Sequence, residues 1–241
     1  MNVTVEQPEL EGHDYFDFGC SSGAQLEFNG KVFPGARGLG IDIDDAKLRI
    51  ARDAGHQAIN FDILRLPEAK LVKFVTLSHF LEHLGSVAES RKMLAKAISV
   101  ARDFVFVRQP WFDSDGELLR LGYKLYWSHW SGHRNKMTSL DFHSILGAEL
   151  KAGRIRRFVI LGRGPIVHGS NSCLIPLEAP INQHKYDPVL HGPKVELPLA
   201  HQAFAEIMAR VDIGDGADAV EAILTRLGAS EVIFDSAAAN S

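Results

Sequence analysis

The stretch DFGCSSG, residues 17–23, ends a short apolar run at residues 14–19 and places two glycines in the turn that follows. We interpret the run as a β-strand and the residues after Gly23 as a helix. Glycine lets the backbone of such a strand–helix turn approach a ligand closely. The first N–H groups of the helix are free and carry partial positive charge, which favours a bound anion.

Two ligands suit a turn of this kind, namely the pyrophosphate of a dinucleotide and the amino-acid carboxylate of S-adenosylmethionine. The dinucleotide fingerprint requires glycines at relative positions 1, 3 and 6. This chain has Gly19, Ser21 and Ala24 at those positions, so two of the three requirements fail. A tight turn that binds no ligand also remains compatible with these residues.

Strands and helices alternate after this turn. Apolar runs predict four further strands, at residues 37–42, 56–61, 72–78 and 103–107. Helical spacing of apolar residues predicts helices from Asp44 or Asp45 to about residue 54 and over residues 86–101. Alternation of this kind, with nearly continuous apolar strands, indicates a Rossmann-like parallel sheet with helices on both faces.

The pattern changes after Pro110. The sequence predicts in turn a helix at 138–146, a final antiparallel strand pair at 155–161 and 172–177, a proline-containing loop at 178–199, helices at 200–211 and 216–227, and a frayed tail after Ile233. We therefore expect one domain at residues 1–178, with an insertion at about 111–146. A linker and C-terminal helical extension would follow at 179–241.

Composition narrows the class of protein. The 241 residues are 46% hydrophobic and 23% charged, with a net charge of -4, which suits a globular α/β domain and disfavours a duplex nucleic-acid binder. Two cysteines are too few for a disulfide framework. No apolar stretch is long enough to span a membrane, and the first residues lack a signal-peptide pattern. We expect a cytoplasmic protein without a nucleic-acid or membrane partner, and self-association stays open.

Carboxylates end the second and third predicted strands. Asp42 follows Gly23 by nineteen residues and could accept hydrogen bonds from both ribose hydroxyls of a nucleoside. Asp62 could accept a hydrogen bond from an adenine amino group, with Ile63 packed on the ring. Both aspartates also have a structural interpretation, as helix caps or turn residues.

Together these stretches resemble the class I S-adenosylmethionine-dependent methyltransferases. The matching stretches are DFGCSSG (17–23), GLGIDID (38–44), NFDILRLP (60–67) and LSHFLEHL (77–84), and the resemblance covers about residues 13–178. It implies S-adenosylmethionine as cofactor and S-adenosylhomocysteine as product. It also implies a role for ten residues: Asp17, Gly19, Cys20 and Gly23 at the methionine end, Asp42 and Ile43 at the ribose, Asp62 and Ile63 at the adenine, and Ser78 and His79 beneath the sulfonium.

The chain departs from the family pattern in two places. Ser21 replaces the usual middle glycine, and Val72-Lys73-Phe74 stands where an acid often precedes the fourth strand. A zinc motif, H-x-x-E-H, is formally present at residues 79–83. We expect bound metal to be absent or dispensable, because His79 directly follows a strand and so lacks the helical geometry of that motif, and the sequence shows no other set of metal ligands.

The segment after the fifth strand is the predicted acceptor side. Ligands of open α/β sheets bind at the carboxyl edge of the strands, and residues 126–133 there are rich in aromatic side chains and histidine. They could form a wall for a sugar or planar ring, although a core role for the aromatics is equally compatible. An oxygen or nitrogen acceptor needs a base, and histidine suits that role. The candidates are His79, His129 and His133, followed by Asp113 and Asp115.

These patterns predict methyl transfer to an oxygen of a small molecule or glycan precursor. A basic run at residues 151–163 could bind an acceptor phosphate, or could simply be a solvated face. Two other functions remain open. One is a nicotinamide-dependent oxidoreductase, and the other is a non-catalytic cofactor-binding or assembly protein.

Overall fold

The computed structural model describes residues 10–168, 172–193 and 198–238. The strands are β1 (Tyr15–Phe18), β2 (Gly38–Asp42), β3 (Ala58–Asn60), β4 (Val72–Ser78), β5 (Ala101–Pro110), β6 (Tyr123–Leu125), β7 (Arg157–His168), β8 (Leu174–Pro176), β9 (Pro198–Asp212) and β10 (Ser230–Asp235). The α-helices are α1 (Ala24–Val32), α2 (Asp45–Asp53), α3 (Val87–Val100), α4 (Asp115–Arg120), α5 (Ser139–Lys151), α6 (Pro188–His191) and α7 (Ala217–Leu227).

Eight strands form one sheet in the order β10-β7-β9-β5-β4-β1-β2-β3. The five strands β1 to β5 are mutually parallel, which confirms the predicted Rossmann-like parallel sheet. β9 lies between β5 and β7 and runs antiparallel to both, and β10 pairs antiparallel with β7 at the edge. β6 and β8 form a separate antiparallel pair.

Helices cover both faces of the sheet, because neighbouring residues of each strand point to opposite sides. In β1, Tyr15 packs in a cluster with side chains of α1, α2 and α7. The next residue, Phe16, packs in a second cluster with side chains of α3 and α5. The sheet is therefore buried on both faces, as its apolar strands predict.

Side-chain caps begin the helices that flank the site. The Asp44 carboxylate accepts hydrogen bonds from the N–H groups of Ala46 and Lys47, which confirms the predicted cap of α2. Ser86 caps α3 in the same way. Thr138 caps α5 in a capping box with Asp141, and α5 continues to Lys151, beyond the predicted end at residue 146.

Three predictions about the C-terminal third are wrong. Residues 155–161 and 172–177 do not pair with each other, because β7 pairs with β9 and β8 pairs with β6. Residues 200–211, predicted as a helix, are strand β9. The tail after Ile233 continues β10 instead of fraying at that residue. The helix over 216–227 is confirmed as α7.

Alanine and other good helix formers dominate residues 200–211, so local propensity favoured a helix there. The pairing of β9 with two strands overrides that propensity. The predicted C-terminal extension thus contributes β9 and β10 to the same sheet as β1 to β5. Among the described residues, no helix combines the length and apolarity that crossing a membrane requires.

Candidate cofactor and acceptor sites

The turn after β1 is shaped by three residues with positive φ. Gly19 has φ +68°, and a Cβ at this position would lie 2.2 Å from Cδ2 of Phe80. Ser21 adopts φ +48°, so the serine that replaces the usual glycine takes the left-handed conformation itself. Gly23 begins α1 with φ +92°. Any larger residue at position 19 would clash with Phe80.

Asp42 holds the turn from the neighbouring strand. Its carboxylate accepts a hydrogen bond from the Ser21 N–H at 2.8 Å. It also accepts bonds from the N–H groups of Ile43 at 2.7 Å and Asp44 at 3.0 Å. Asp42 therefore lies at the carboxyl edge of the sheet, directly beside the turn that ends β1.

Asp17 is a buried carboxyl group with two different oxygens. Oδ1 accepts a hydrogen bond from the Thr76 hydroxyl at 2.7 Å, which in turn accepts one from Asn29 at 3.2 Å. Oδ2 is buried and accepts no hydrogen bond. The pKa of Asp17 is raised to about 7, because burial and, to a lesser extent, the negative charge of Asp42 raise it while the Thr76 hydrogen bond opposes the shift.

Arg108, on β5, has a guanidinium nitrogen, Nε, that lacks a hydrogen-bond partner. Its Nε is buried and donates no hydrogen bond, while its Nη2 donates to Glu206 at 2.8 Å. Asp17 and Arg108 both line a cavity of about 400 Å³ at the carboxyl edge of β1, β4 and β5, together with residues of the turn. This cavity offers an acidic acceptor and a cationic donor that the protein leaves unsatisfied.

His79 lies where this cavity meets a second one. It follows β4 with φ +50°, a conformation that costs an L-residue roughly 1–2 kcal/mol. Its Nε2 lies 3.1 Å from Glu206 and its Nδ1 lies 3.4 Å from Glu82. Burial lowers the pKa of His79, but the two carboxylates outweigh that effect and raise it to about 9. His79 is thus a cation at neutral pH and not a free base.

Glu206, on β9, forms ion pairs with several basic side chains. Besides His79 and Arg108, it accepts a hydrogen bond from Arg163 at 2.8 Å. Burial would raise the pKa of Glu206, yet His79 and Arg108 hold it far below its usual range. The carboxylate therefore fixes His79 at the boundary between the two cavities.

The second cavity, of about 380 Å³, is the predicted acceptor side. Its walls include Tyr126, Trp127, Trp130 and His133 from the predicted aromatic segment. Nδ1 of His133 donates to the Trp127 carbonyl at 2.9 Å. Burial lowers the pKa of His133, which favours its neutral form.

The remaining base candidates lie elsewhere. His129 is exposed, and its Nδ1 accepts a hydrogen bond from Lys124 at 2.7 Å. Asp113 accepts the N–H of Ser139 at the start of α5. Asp115 accepts the Ser128 hydroxyl at 2.6 Å. None of these three lines the second cavity as the structure describes it.

The predicted adenine and ribose residues follow along the same sheet edge. Asp62 caps the short 3-10 helix Ile63–Arg65 after β3, and its carboxylate accepts a hydrogen bond from the Leu64 N–H at 2.9 Å. Ile63 is 5% exposed and packs in the core, which leaves little of it for a ring. Ile43 is 74% exposed beside Asp42. Ser78 and Cys20 both line the first cavity.

The basic run at residues 151–163 is largely neutralised by acids. Arg154 pairs with Glu149 and Arg156 with Asp215. Arg157 forms an ion pair with Asp235, and Arg163 forms one with Glu206. A cluster of arginines whose charges are already paired is a weak candidate for phosphate binding.

A larger cavity, of about 1000 Å³, opens at the opposite edge of the sheet, near Asp14, Lys73 and Asp103. These residues lie at the amino ends of β1, β4 and β5. Ligands of open α/β sheets bind outside the carboxyl ends of the strands. The candidate functional site is therefore the pair of smaller cavities that meet at His79.

Solved structures with the same fold are methyltransferases. A SAM-dependent methyltransferase from Archaeoglobus fulgidus aligns with a TM-score of 0.56 and 17% identity, over 85% of this chain and 88% of that one. The plantazolicin methyltransferase BpumL, in complex with a pentazolic desmethylPZN analog and SAH, aligns with a TM-score of 0.50 and 13% identity, over 84% and 77%. Comparison of the sequence with family models and curated proteins finds no match.

The chain has the class I methyltransferase fold. Within this fold, sequence analysis missed Arg108 and Glu206 as site residues. Glu206 was not predicted because its segment, residues 200–211, was interpreted as a helix outside the sheet. Arg108 could have been found, since it is a cationic residue that directly follows the predicted buried strand at residues 103–107.

Proposed function

We propose that this protein is an S-adenosylmethionine-dependent methyltransferase. One observation carries the proposal: the cavity beside the glycine turn leaves Asp17 Oδ2 and Arg108 Nε buried without hydrogen-bond partners. An unsatisfied carboxylate oxygen and an unsatisfied guanidinium N–H match the ammonium and carboxylate of an α-amino acid. The residues present therefore fit the methionine end of this cofactor.

Asp42 would accept hydrogen bonds from the ribose, and Asp62 would lie at the adenine, farther along the same edge. Ile43, which is exposed next to Asp42, offers apolar surface to the nucleoside. When bound, the cofactor supplies a methyl group on a sulfonium, which is a good leaving group. The task of the protein is then to align the acceptor atom and to manage its proton.

We infer that the acceptor is an oxygen of a small molecule or glycan precursor, bound in the cavity of about 380 Å³. Its tyrosine and tryptophan side chains suit a sugar or planar ring. We propose a cytoplasmic location, because two cysteines in the whole sequence are too few for a disulfide framework.

Calorimetry with S-adenosylhomocysteine and with NAD tests the cofactor. We expect S-adenosylhomocysteine to bind and NAD to bind far more weakly, and the reverse order would refute the proposal. A screen of sugar and phenolic acceptors with a labelled methyl donor then tests the transfer. Tight binding of S-adenosylhomocysteine without transfer to any acceptor would favour a cofactor-binding protein.

A further inference from the structure

Glu82 is a buried carboxylate that lacks hydrogen bonds. It lies in the short 3-10 helix Leu81–His83, its exposed fraction is 1%, and neither carboxylate oxygen accepts a hydrogen bond. Nδ1 of His79 lies 3.4 Å from Oε1 of Glu82 without hydrogen-bond alignment. A buried, unsatisfied carboxylate is costly unless something else binds it.

In both histidines beside Glu82, Nδ1 of the ring donates a hydrogen bond to a backbone carbonyl. Nδ1 of His83 donates to the carbonyl of Gly132 at 3.0 Å, and Nδ1 of His133 donates to the carbonyl of Trp127 at 2.9 Å. Because a carbonyl only accepts, Nδ1 of each ring carries the hydrogen and Nε2 keeps its lone pair. Metal-binding histidines are oriented by outer hydrogen bonds of this kind.

We infer that Glu82, His83 and His133 form a binding site for a divalent transition-metal ion of the zinc type. Ligand atoms of these residues lie within 4.8 Å of one another. Ligands around tetrahedral zinc lie about 3.4 Å apart, so the side chains need to close by about an ångström. Two imidazoles and one carboxylate are a donor set of catalytic zinc sites, which keep a position open for substrate.

Asn135 ties together the two segments that carry these ligands. Its side chain donates to the Leu81 carbonyl at 3.0 Å, and its backbone N–H donates to the Glu82 carbonyl at 3.1 Å. The residue is itself buried. His133 is therefore held next to Glu82 and His83 by a fixed connection, although more than 40 residues separate them along the chain.

This site differs from the zinc motif that the sequence suggested. That motif would pair His79 with His83, but His79 instead contacts Glu206. His133 takes its place from a distant part of the chain. The sequence predicted no metal because it offered only the pair of His79 and His83, and the proposed set departs from that prediction by including His133.

All three residues line the acceptor cavity. An ion held there would bind an oxygen of the acceptor and lower the pKa of a hydroxyl, whose proton passes to water. This role rests on the proposed function: the oxygen–carbon bond of the product forms as the sulfur–carbon bond of the methyl donor breaks. The ion would thereby favour a deprotonated acceptor oxygen at neutral pH.

Metal binding to the chelator-treated chain tests the site, with Zn²⁺ followed by calorimetry and Co²⁺ by its visible spectrum. We expect one equivalent to bind and to raise the melting temperature. Changes to outer hydrogen-bond partners of metal ligands already cost about tenfold to a hundredfold in affinity, so Glu82→Gln, His83→Gln and His133→Gln should each cost at least a hundredfold. His201→Gln, a change of an exposed histidine outside the cluster, should leave binding unchanged.

Equal binding by the parent and all three cluster variants, or no binding by the folded parent, would overturn the inference. Melting temperatures of the variants show that each is folded, and Glu82→Gln removes a buried charge, so we expect it to fold. Affinity for S-adenosylhomocysteine, measured on the same samples, separates the two proposals. Zinc binding without cofactor binding would refute the methyltransferase proposal alone, and cofactor binding without zinc binding would refute the metal site alone.

Discussion

At the scale of single residues, Asp17 combines two functions in one carboxyl group. Oδ1 belongs to a buried chain of hydrogen bonds that runs through Thr76 and Asn29 to Gln25. Oδ2 has no partner and is free for a ligand. A protein without ligand thus keeps an unfavourable buried acid here, which is typical of sites that bind a cation.

The first prediction concerns the pH dependence that Asp17 causes. Its pKa is about 7 in the folded protein against an ordinary value of 3.8, so the folded state binds this proton more tightly than the unfolded state. The contribution of Asp17 to stability is therefore most favourable at low pH and is lost as pH rises from about 4 to 7. Thermal unfolding of parent and Asp17→Asn should converge at pH 4, with the variant more stable at pH 8.

Cofactor affinity should show the opposite trend. Because the ionised carboxylate binds the ammonium group, affinity of the parent for S-adenosylhomocysteine should rise between pH 6 and 8. Asp17→Asn should bind more weakly and with little dependence on pH over that range. If both proteins show the same pH profile of binding, Asp17 does not contact the ligand.

A second prediction at this scale concerns Asp42. Loss of its charge-assisted bonds to ribose in Asp42→Ala should cost about 1.5–3 kcal/mol, or roughly tenfold to a hundredfold in affinity for S-adenosylhomocysteine. Asp45→Ala is a matched control, because Asp45 is an exposed acid of the same segment. Equal affinity of the two variants would mean that Asp42 only holds the Ser21 turn.

At the scale of elements, strands β1 to β5 were predictable and β9 was not. The first five strands are apolar runs, and the predicted and observed bounds of β4 agree to the residue. β9 is rich in alanine, and its conformation depends on β5 and β7, which lie far away in sequence. The same holds for the candidate site residues. Asp42 could be predicted because it ends a predicted strand, whereas Glu206 could not, because its strand was predicted as a helix.

The third prediction tests the place of β9 in the sheet. Met208 lies in the middle of this strand and is completely buried. Met208→Ala should destabilise the protein by about 2–5 kcal/mol, as for other large-to-small changes in a core. His201→Ala, on the exposed part of the same strand, should change the melting temperature little. A Met208→Ala protein as stable as the parent would show that residues 200–211 do not pack into the sheet.

At the scale of the whole molecule, the cofactor and acceptor cavities are separate and share His79. The first is built from the turn after β1 and the ends of β4 and β5. The second is built from residues after β4, the aromatic segment and β9. Changes in the acceptor cavity should therefore affect turnover without affecting cofactor binding.

The fourth prediction uses this separation. With an acceptor identified by the screen, His133→Gln should lower turnover by about a hundredfold or more, while affinity for S-adenosylhomocysteine stays within about twofold. His129→Gln should retain most of its turnover, because His129 is exposed and bonded to Lys124. Normal turnover of His133→Gln would move the search for the proton-handling group to residues outside the aromatic segment.

The position of β9 also has a consequence for the order in which the protein matures on the ribosome. Everything that lines the cofactor cavity has been synthesised by residue 108, whereas Glu206, which fixes His79, follows almost a hundred residues later. β9 must enter between two strands that are already made, and such distant pairings form slowly. A nascent chain should thus form its cofactor cavity well before its acceptor cavity is complete.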